Sequence, residues 1–226
     1  MKETSTEAKK MPVKILKVFD FDQTLFNSPA HTDANLKLYE KHSGLPWNIS
    51  KEEAMKLSKR LGRPIHPRRG WWGRAESLQP PLVPDPTPNE LWIQPTVDAF
   101  LKDLDRDDVF TILMTGRHAG LQQEVFRILH QGPLNVVSKI EGKQPYQWSA
   151  ANSACYLLGQ NGPCPEIVGA KPNETFPWKV WIIQQYRLVY PNLEQIIIWE
   201  DRDEHVRHFR ELNHEFQETV IVHHVR

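Results

Sequence analysis

Two aspartates separated by a single residue, Asp20 and Asp22, are the side chains of this sequence best suited to chemistry. They follow an apolar run, Val13–Phe21, which predicts a buried strand. Buried carboxylates are costly unless they are paired or bind a metal, so two acids at the end of such a strand indicate an active site. One could attack phosphorus as a nucleophile while the other donates a proton to the leaving group and later takes one from water. The alternative is an ordinary aspartate pair at a strand-to-loop junction.

Two further apolar runs end in polar residues. The run Val109–Met114 is followed by Thr115, Gly116 and Arg117, and the run Gln195–Trp199 is followed by Glu200, Asp201 and Arg202. In an open α/β sheet, ligands bind at the carboxyl ends of the strands. We therefore expect Asp20, Thr115 and Asp201 to lie together around one anionic ligand.

The segment from Asp20 to Thr24 resembles the first motif of the haloacid dehalogenase-like phosphohydrolases, DxDx[TV]. The resemblance implies that Thr115 is the second motif and holds a phosphate oxygen. It also implies a third-motif lysine, for which Lys171 and Lys179 both qualify, and an acidic fourth motif at Glu200–Asp201. We prefer Lys179, since it is predicted near a helix N-terminus, which favours anions.

A narrower resemblance covers roughly Val13 to Phe216. Six stretches are similar to the haloacid dehalogenase-like domain called Swiss Army Knife RNA repair-like. They are FDFDQTLFNSP, GWWG, SLQPP, TGR, Thr175-x-x-x-Lys179 and WEDRDEHVRHF. This resemblance implies a phosphatase that acts on RNA or DNA ends. The chain departs from the related phage polynucleotide kinase phosphatase at Glu200, where that domain has Asp, so we expect Asp201 to be the better metal ligand.

The resemblance assigns roles to the remaining site residues. One Mg²⁺ is expected on Asp20, the backbone carbonyl of Asp22 and Asp201, which leaves the Asp22 side chain for proton transfer. Asp20, Asp22, Thr115 and Lys179 or Lys171 are the expected catalytic groups. Substrate contacts are expected from Thr24, Gly116, Arg117 and Arg202, although Arg202 could instead pair with Asp203. His205 is expected to support the site rather than to act as a base.

The elements that must position these residues alternate between strand and helix. Such alternation predicts an α/β fold with a doubly wound, Rossmann-like parallel sheet. Predicted strands are 13–21, 109–114, 166–170, 195–199 and 218–224, and predicted helices are 34–42, 51–61, 97–105, 119–130, 178–190 and 204–213.

The alternation predicts one domain, 13–226, after a disordered lead-in, 1–12. Residues 27–94 exceed a normal crossover connection and predict a small helical cap inserted into the core. Residues 131–164 form a smaller insertion, within which Trp148–Leu158 is a candidate helix.

The first insertion carries an uneven charge. Between Lys56 and Ala75 there are seven basic side chains and no acidic one, with Trp71 and Trp72 among them. Arg68 and Arg69 could bind phosphates, and the tryptophans could stack on bases, which favours a nucleic-acid substrate. The alternative is that both tryptophans anchor the cap on the core while the arginines are solvated.

Composition sets limits on the class of protein. The 28 basic and 28 acidic side chains balance, so overall charge indicates no polyanionic partner. The sequence has neither a membrane-spanning apolar run nor a secretory signal, which predicts a cytoplasmic protein, with the nucleus left open, and no feature predicts a protein partner. Cys155 and Cys164 are predicted to be reduced thiols in a loop. A phosphotransferase, a small-molecule phosphatase and a non-catalytic binding module remain as alternatives.

Overall fold

A parallel sheet of five strands forms the centre of the described chain, as the computed structural model shows. The model describes residues 12–46, 49–62, 70–134, 137–138, 147–148, 153–160, 162 and 174–226. The strands are β1 (Ile15–Phe19), β2 (Val109–His118), β5 (Ser153–Leu158), β6 (Gln195–Glu200) and β7 (Thr219–His224), in the spatial order β5-β2-β1-β6-β7. Each neighbouring pair is parallel. The predicted α/β fold with a doubly wound parallel sheet is confirmed.

The central strands are buried on both faces, which is why they read as continuous apolar runs. Consecutive residues of β1 point to opposite faces: Val18 belongs to one hydrophobic cluster and Phe19 to the other. Ile112 and Leu113, which pair with them in β2, divide in the same way. The sheet therefore separates two cores and exposes little of its middle.

Helices cover both faces of this sheet. Helices α3 (Gln94–Leu101) and α4 (Gln122–Gln131) contribute Phe100 and Phe126 to the cluster that contains Phe19. On the other face, α5 (Thr175–Val189) and α6 (Asp203–Glu211) contribute Trp178 and Phe209. None of the helices in the described ranges is long and apolar enough to cross a membrane.

The segment predicted as a cap contains α1 (Asp33–Ser43), α2 (Lys51–Leu61) and short 3₁₀ turns at Trp71–Gly73, Ala75–Leu78 and Asn89–Leu91. Helix α2 has the predicted bounds, because Ser50 and Glu53 form a reciprocal capping box. The two ends of the segment meet, since the Asn27 amide donates to the Leu91 carbonyl at 2.7 Å and Phe26 bridges to Trp92. The segment thus leaves the core and returns at one place.

The predicted helix at Trp148–Leu158 is wrong. Residues Ser153–Leu158 form β5, which pairs in parallel with β2 at the edge of the sheet. Six residues are too few to display a helical period, and edge pairing with β2 decides their conformation. Cys155 accordingly lies in a strand rather than in a loop, and its thiol is free.

Several predictions concern residues outside the described ranges. They are the strand at 166–170, Lys171, Cys164, Arg68 and Arg69. Beside these gaps, β3 (Val137–Ser138) and β4 (Gln147–Trp148) form a small antiparallel pair.

Candidate active site

The two aspartates of the first motif follow β1 directly. The Asp20 amide donates to the Trp199 carbonyl of β6 at 3.0 Å, which continues the sheet pairing by one residue. The chain then turns, with the Leu25 and Phe26 amides donating to the Phe21 carbonyl. Gln23 takes a left-handed conformation with φ of 57° in this turn. The turn places Asp20 and Asp22 in different surroundings, although both are buried.

Lys179 reaches Asp20, the predicted nucleophile. Its ammonium donates to Oδ1 of Asp20 at 2.7 Å and to Oε2 of Glu200 at 2.7 Å. All three side chains are buried. Lys179 lies in the first turns of α5, a helix that packs Trp178 and Ile182 into the core. The packing of α5 therefore delivers one ammonium to two carboxylates at the ends of β1 and β6.

The carboxylates at these two strand ends are electrostatically crowded. Burial, reinforced by the charges of Glu200 and Asp22, raises the pKa of Asp20 to about 6 despite the nearby Lys179 ammonium. Burial, together with the charges of Asp20 and Glu200, raises the pKa of Asp201 to about 8. Burial also acts on Glu200, but the Lys179 ammonium and His205 outweigh it and lower its pKa. Glu200 is therefore the carboxylate that stays ionised, whereas Asp20 and Asp201 resist ionisation.

Three of these acids form a cluster that could hold a metal ion. Asp20, Glu200 and Asp201 each offer one carboxylate oxygen, and these oxygens lie within 4.8 Å of one another. Oδ1 of Asp201 is buried and has no hydrogen-bond partner among the described residues. An unpartnered buried oxygen beside two more carboxylates is a donor set that hard cations prefer. The predicted metal acids Asp20 and Asp201 are thus brought together, and Glu200 joins them.

Asp22 is held by a separate set of contacts. The Arg117 guanidinium forms a bidentate ion pair with it, with Nε 3.0 Å from Oδ2 and Nη2 2.8 Å from Oδ1. The Ser28 hydroxyl donates to Oδ1 at 2.6 Å, and the Thr115 hydroxyl lies 3.5 Å from Oδ2. The predicted second motif therefore meets the first motif directly.

The TGR segment owes its position to an irregularity in β2. The register with β5 shifts between Thr115 and His118. A Cβ at Gly116 would lie only 2.9 Å from Cγ2 of Thr175, so glycine lets the end of β2 approach the start of α5. Thr24 is fully buried, and its hydroxyl has no hydrogen-bond partner among the described residues.

The predicted cap residues differ in exposure. Trp71 is 2% exposed and donates from Nε1 to the Pro29 carbonyl at 2.7 Å, so it has the packing role that the sequence left as an alternative. Trp72 is half-buried, with its ring 5.1 Å from the Arg117 guanidinium. Arg74, part of the basic window, is buried against Tyr39. Arg202 is exposed, and no ion pair joins it to Asp203 in the part of the chain that the structure describes.

Sequence reasoning gave no role to two contributors to the site and assigned a different partner to a third. Ser28 contacts Asp22 and Ser77 contacts Arg117. Both serines lie in stretches that support the family resemblance, FDFDQTLFNSP and SLQPP, but nothing in those stretches indicated what the serines contact. Glu200 was expected to be the weaker metal ligand, yet it is the partner of Lys179. The supporting role expected of His205 has a geometric counterpart, because its Nδ1 lies 3.3 Å from Oε2 of Glu200.

Comparisons with solved structures found several chains of low sequence identity. The HAD domain of effector protein Lem4 from Legionella pneumophila shares 16% identity at a TM-score of 0.44, with 95% of this chain and 88% of that chain covered. A haloacid dehalogenase-like hydrolase from Burkholderia xenovorans shares 12% identity at a TM-score of 0.46, covering 93% and 83%. An archaeal β-phosphoglucomutase from a Pyrococcus species shares 11% identity at a TM-score of 0.39, covering 91% and 85%.

A search of curated proteins found no match to the chain. A comparison with models of protein families did find one. The model of one family matches residues 56–225, which is well over half of the sequence and includes the second, third and fourth motifs. The protein therefore belongs to the family described as HAD domain family 1 in Swiss Army Knife RNA repair proteins.

Proposed function

We propose that this protein is a Mg²⁺-dependent phosphohydrolase that cleaves phosphate monoesters through an aspartyl-phosphate on Asp20. The observation that carries the proposal is the contact of the buried Asp20 carboxylate with Lys179 beside Glu200 and Asp201. A nucleophilic carboxylate, an ammonium and a metal-binding cluster at one strand end are the groups that phosphoryl transfer needs.

The reaction follows from the two aspartates. An Asp20 oxygen attacks phosphorus and forms an acyl phosphate, while the P–O bond to the leaving group breaks and Asp22 donates a proton to the departing oxygen. Water then attacks phosphorus, Asp22 takes its proton, and inorganic phosphate leaves with Asp20 restored. Lys179 supplies positive charge beside the attacking carboxylate, and the Thr115 hydroxyl stands near the position for a phosphate oxygen.

Asp20, Glu200 and Asp201 would hold the Mg²⁺. The set fits because its ligands are hard oxygens and because Oδ1 of Asp201 has no hydrogen-bond partner within the described part of the chain. It also fits because the pKa values of Asp20 and Asp201 are raised where a cation would lower them. When bound, the ion supplies positive charge that offsets the charge of the phosphate.

A phosphatase assay with nitrophenyl phosphate tests this function. We expect turnover with Mg²⁺, loss of turnover with EDTA, recovery when Mg²⁺ is added back, and inhibition by beryllofluoride, which mimics phosphoaspartate. Added alcohol distinguishes hydrolysis from phosphoryl transfer, since a transferase would yield the alcohol phosphate. Full activity in EDTA would contradict the metal requirement, and absence of turnover across nucleotides, oligonucleotides and small esters would support a binding module.

We further propose that the natural substrate is a phosphorylated nucleic-acid end. The family description refers to RNA repair proteins, and α2 presents Lys56, Lys59 and Arg60 as exposed cations. Contacts from such cations to a nucleic-acid backbone weaken as salt increases. The buried Trp71 and Arg74 do not support this proposal, so it depends on α2 and on Arg68 and Arg69.

The substrate proposal predicts a difference between long and short substrates. Two double variants test this difference: Lys59→Ala with Arg60→Ala, and Arg68→Ala with Arg69→Ala. Each should lower kcat/KM on a phosphorylated oligonucleotide much more than on nitrophenyl phosphate. The difference between the two substrates should shrink at high salt. Lys37→Ala with Lys41→Ala on the exposed side of α1 is the matched control. Equal losses on both substrates, or no oligonucleotide activity in the wild type, would move the substrate to a small phosphate ester.

A further inference from the structure

Arg117 is buried, and all of its nitrogens are engaged within the protein. Nε and Nη2 donate to the Asp22 carboxylate, and Nη1 donates to the Ser77 hydroxyl at 2.7 Å and to the Trp72 carbonyl at 3.2 Å. The sequence predicted a substrate contact for this residue. With each nitrogen bonded to a protein acceptor, the guanidinium instead joins two parts of the chain.

The first of these parts is the segment Gly70–Leu78, which belongs to the insertion. It is fixed by its own contacts: Trp71 donates to the Pro29 carbonyl, Ser77 donates to the Arg74 carbonyl at 2.7 Å, and Arg74 donates to the Tyr39 hydroxyl at 2.6 Å. The ring of His118, the next residue after Arg117, lies 3.3 Å from the Gly73 carbonyl oxygen. The end of β2 therefore holds this segment at more than one point.

The second part is Asp22 itself. Its Oδ1 contacts Nε, Nη2 and the Ser28 hydroxyl, and its Oδ2 contacts Nε at 3.0 Å. A planar bidentate pair fixes the orientation of a carboxylate as well as its position. Orientation matters for this group, because proton transfer to a leaving oxygen requires a carboxyl held within hydrogen-bond reach.

We propose that the segment Gly70–Leu78 positions the acid–base group Asp22 through Arg117, so that Arg117 is a positioning residue for leaving-group protonation. The inference rests on the acid–base role of Asp22 in the proposed function. It gives the insertion a part in the chemical step, in addition to any part in binding substrate. A loosened Arg117 should impair the step that needs a proton and spare the same step when no proton is needed.

Two phosphate esters distinguish a leaving group that needs a proton from one that does not. Nitrophenyl phosphate has a stable leaving anion that needs little protonation, whereas benzyl phosphate releases an alkoxide that needs a proton. The quantity to compare is kcat/KM, since it reports steps up to the first irreversible one, in which the leaving group departs. The first variant is Ser77→Ala, which removes the Ser77 contact with Arg117 and the bond to the Arg74 carbonyl but leaves the Trp72 carbonyl as an acceptor for Arg117. The second is Arg117→Lys, which keeps the charge but not the bidentate geometry.

Ser58→Ala is the matched control. Its hydroxyl donates to the Ala54 carbonyl at 2.7 Å within the same insertion, as that of Ser77 donates to Arg74, but Arg117 does not contact it. We expect Arg117→Lys to lower kcat/KM on benzyl phosphate about a hundredfold, which is the lower end of what general acid catalysis contributes. Ser77→Ala should lower it by less, about three- to tenfold, because the Trp72 carbonyl still accepts from Arg117. Ser77→Ala should stay within about twofold on nitrophenyl phosphate, and Arg117→Lys should lose much less on nitrophenyl phosphate than on benzyl phosphate. Ser58→Ala should match the wild type on both esters.

Hydrogen exchange provides a readout that does not depend on activity. Ser77→Ala should increase exchange of amides in the turn that follows Asp22, up to Ser28, while α2 stays unchanged. Equal losses on the two esters, or unchanged exchange in that turn together with wild-type rates, would overturn the proposal. If the wild type hydrolyses neither these esters nor an oligonucleotide phosphate, the proposed function fails, and the exchange measurement alone decides whether the segment positions Asp22.

Discussion

The surroundings of Asp20 and Asp22 differ, although the two residues leave the same strand. Within the described ranges, the Asp20 side consists of three carboxylates, including that of Asp20, and one ammonium, and all of them lie on or beside the sheet core. The Asp22 side consists of one carboxylate and one guanidinium, and the insertion supplies part of its contacts through Ser77. The core therefore determines the surroundings of Asp20, the proposed nucleophile, whereas the core and the insertion together determine those of Asp22, the proposed acid.

The comparison also explains why a cation is expected on one side only. Among the residues that the structure describes, the buried Asp20 and Glu200 and the partly buried Asp201 lie around the Lys179 ammonium. The pKa values of Asp20 and Asp201 are raised by burial and by the neighbouring carboxylates. On the other side the charges of Asp22 and Arg117 are matched. A bound Mg²⁺ would relieve the crowding on the Asp20 side and has nothing to neutralise on the Asp22 side.

The largest effect should come from Asp20→Asn. An amide cannot form the acyl phosphate, so kcat on nitrophenyl phosphate should fall below about one thousandth of the wild-type value. The melting temperature should be retained, since the change removes a charge from a crowded cluster. Asp33→Asn, an exposed acid in the first turn of α1, is the control. Wild-type turnover in Asp20→Asn would rule out the covalent mechanism.

The next effect concerns the stability of the Asp20 side. Lys179→Met leaves two buried carboxylates without their cation, and breaking a buried pair costs about 3–5 kcal/mol of unfolding free energy. Lys14→Met removes the same residue type from an exposed pair with Glu194 and should change the unfolding free energy little. Urea denaturation at neutral pH measures both. Similar values for the two variants would show that Lys179 does not hold the carboxylates together.

The carboxylates around Asp20 should make the melting temperature depend on both pH and Mg²⁺. Because Asp20 and Asp201 have raised pKa values in the folded protein, the folded state binds more protons than the unfolded chain between about pH 4 and pH 8. The melting temperature of the metal-free protein should therefore fall as pH rises through this range. Glu200, whose pKa is lowered, acts in the opposite sense only at more acidic pH.

Mg²⁺ should raise the melting temperature most at the alkaline end, because it binds the ionised carboxylates. At a concentration a hundred times its dissociation constant, the gain should be about 2.7 kcal/mol. Differential scanning calorimetry at several pH values, with and without Mg²⁺, measures this. Asp201→Asn should flatten the pH dependence and remove most of the Mg²⁺ effect. An equal Mg²⁺ effect in that variant would place the ion elsewhere.

The smallest expected effect is on the unfolding free energy, from a substitution in the insertion. Trp71→Phe keeps the aromatic body but removes the hydrogen bond to the Pro29 carbonyl, which should cost about 0.5–1.5 kcal/mol of unfolding free energy. The value of kcat/KM on nitrophenyl phosphate should not change. A loss of oligonucleotide activity at unchanged stability would instead return Trp71 to the substrate contacts that the sequence first suggested.

The sequence by itself determined the sheet and the strand ends. Apolar runs identified β1 and β2, because strands buried on both faces leave a continuous hydrophobic signal. They also identified β6 and β7, although burial alternates along these two strands. The capping box predicted α2 to the residue, because a cap is a local interaction between Ser50 and Glu53. Strand ends in a parallel sheet converge, so Asp20, Thr115 and Asp201 could be grouped without coordinates.

Only the tertiary structure decided which side chain pairs with which. The edge strand β5 was mistaken for a helix, since six residues are too few to show a clear period and pairing with β2 determines their conformation. Glu200 is the partner of Lys179, and Arg117 is the partner of Asp22, because helix packing and the return of the insertion set distances between residues far apart in the chain. Sequence spacing specifies which groups reach the end of the sheet, whereas long-range packing specifies the charge that each group meets there.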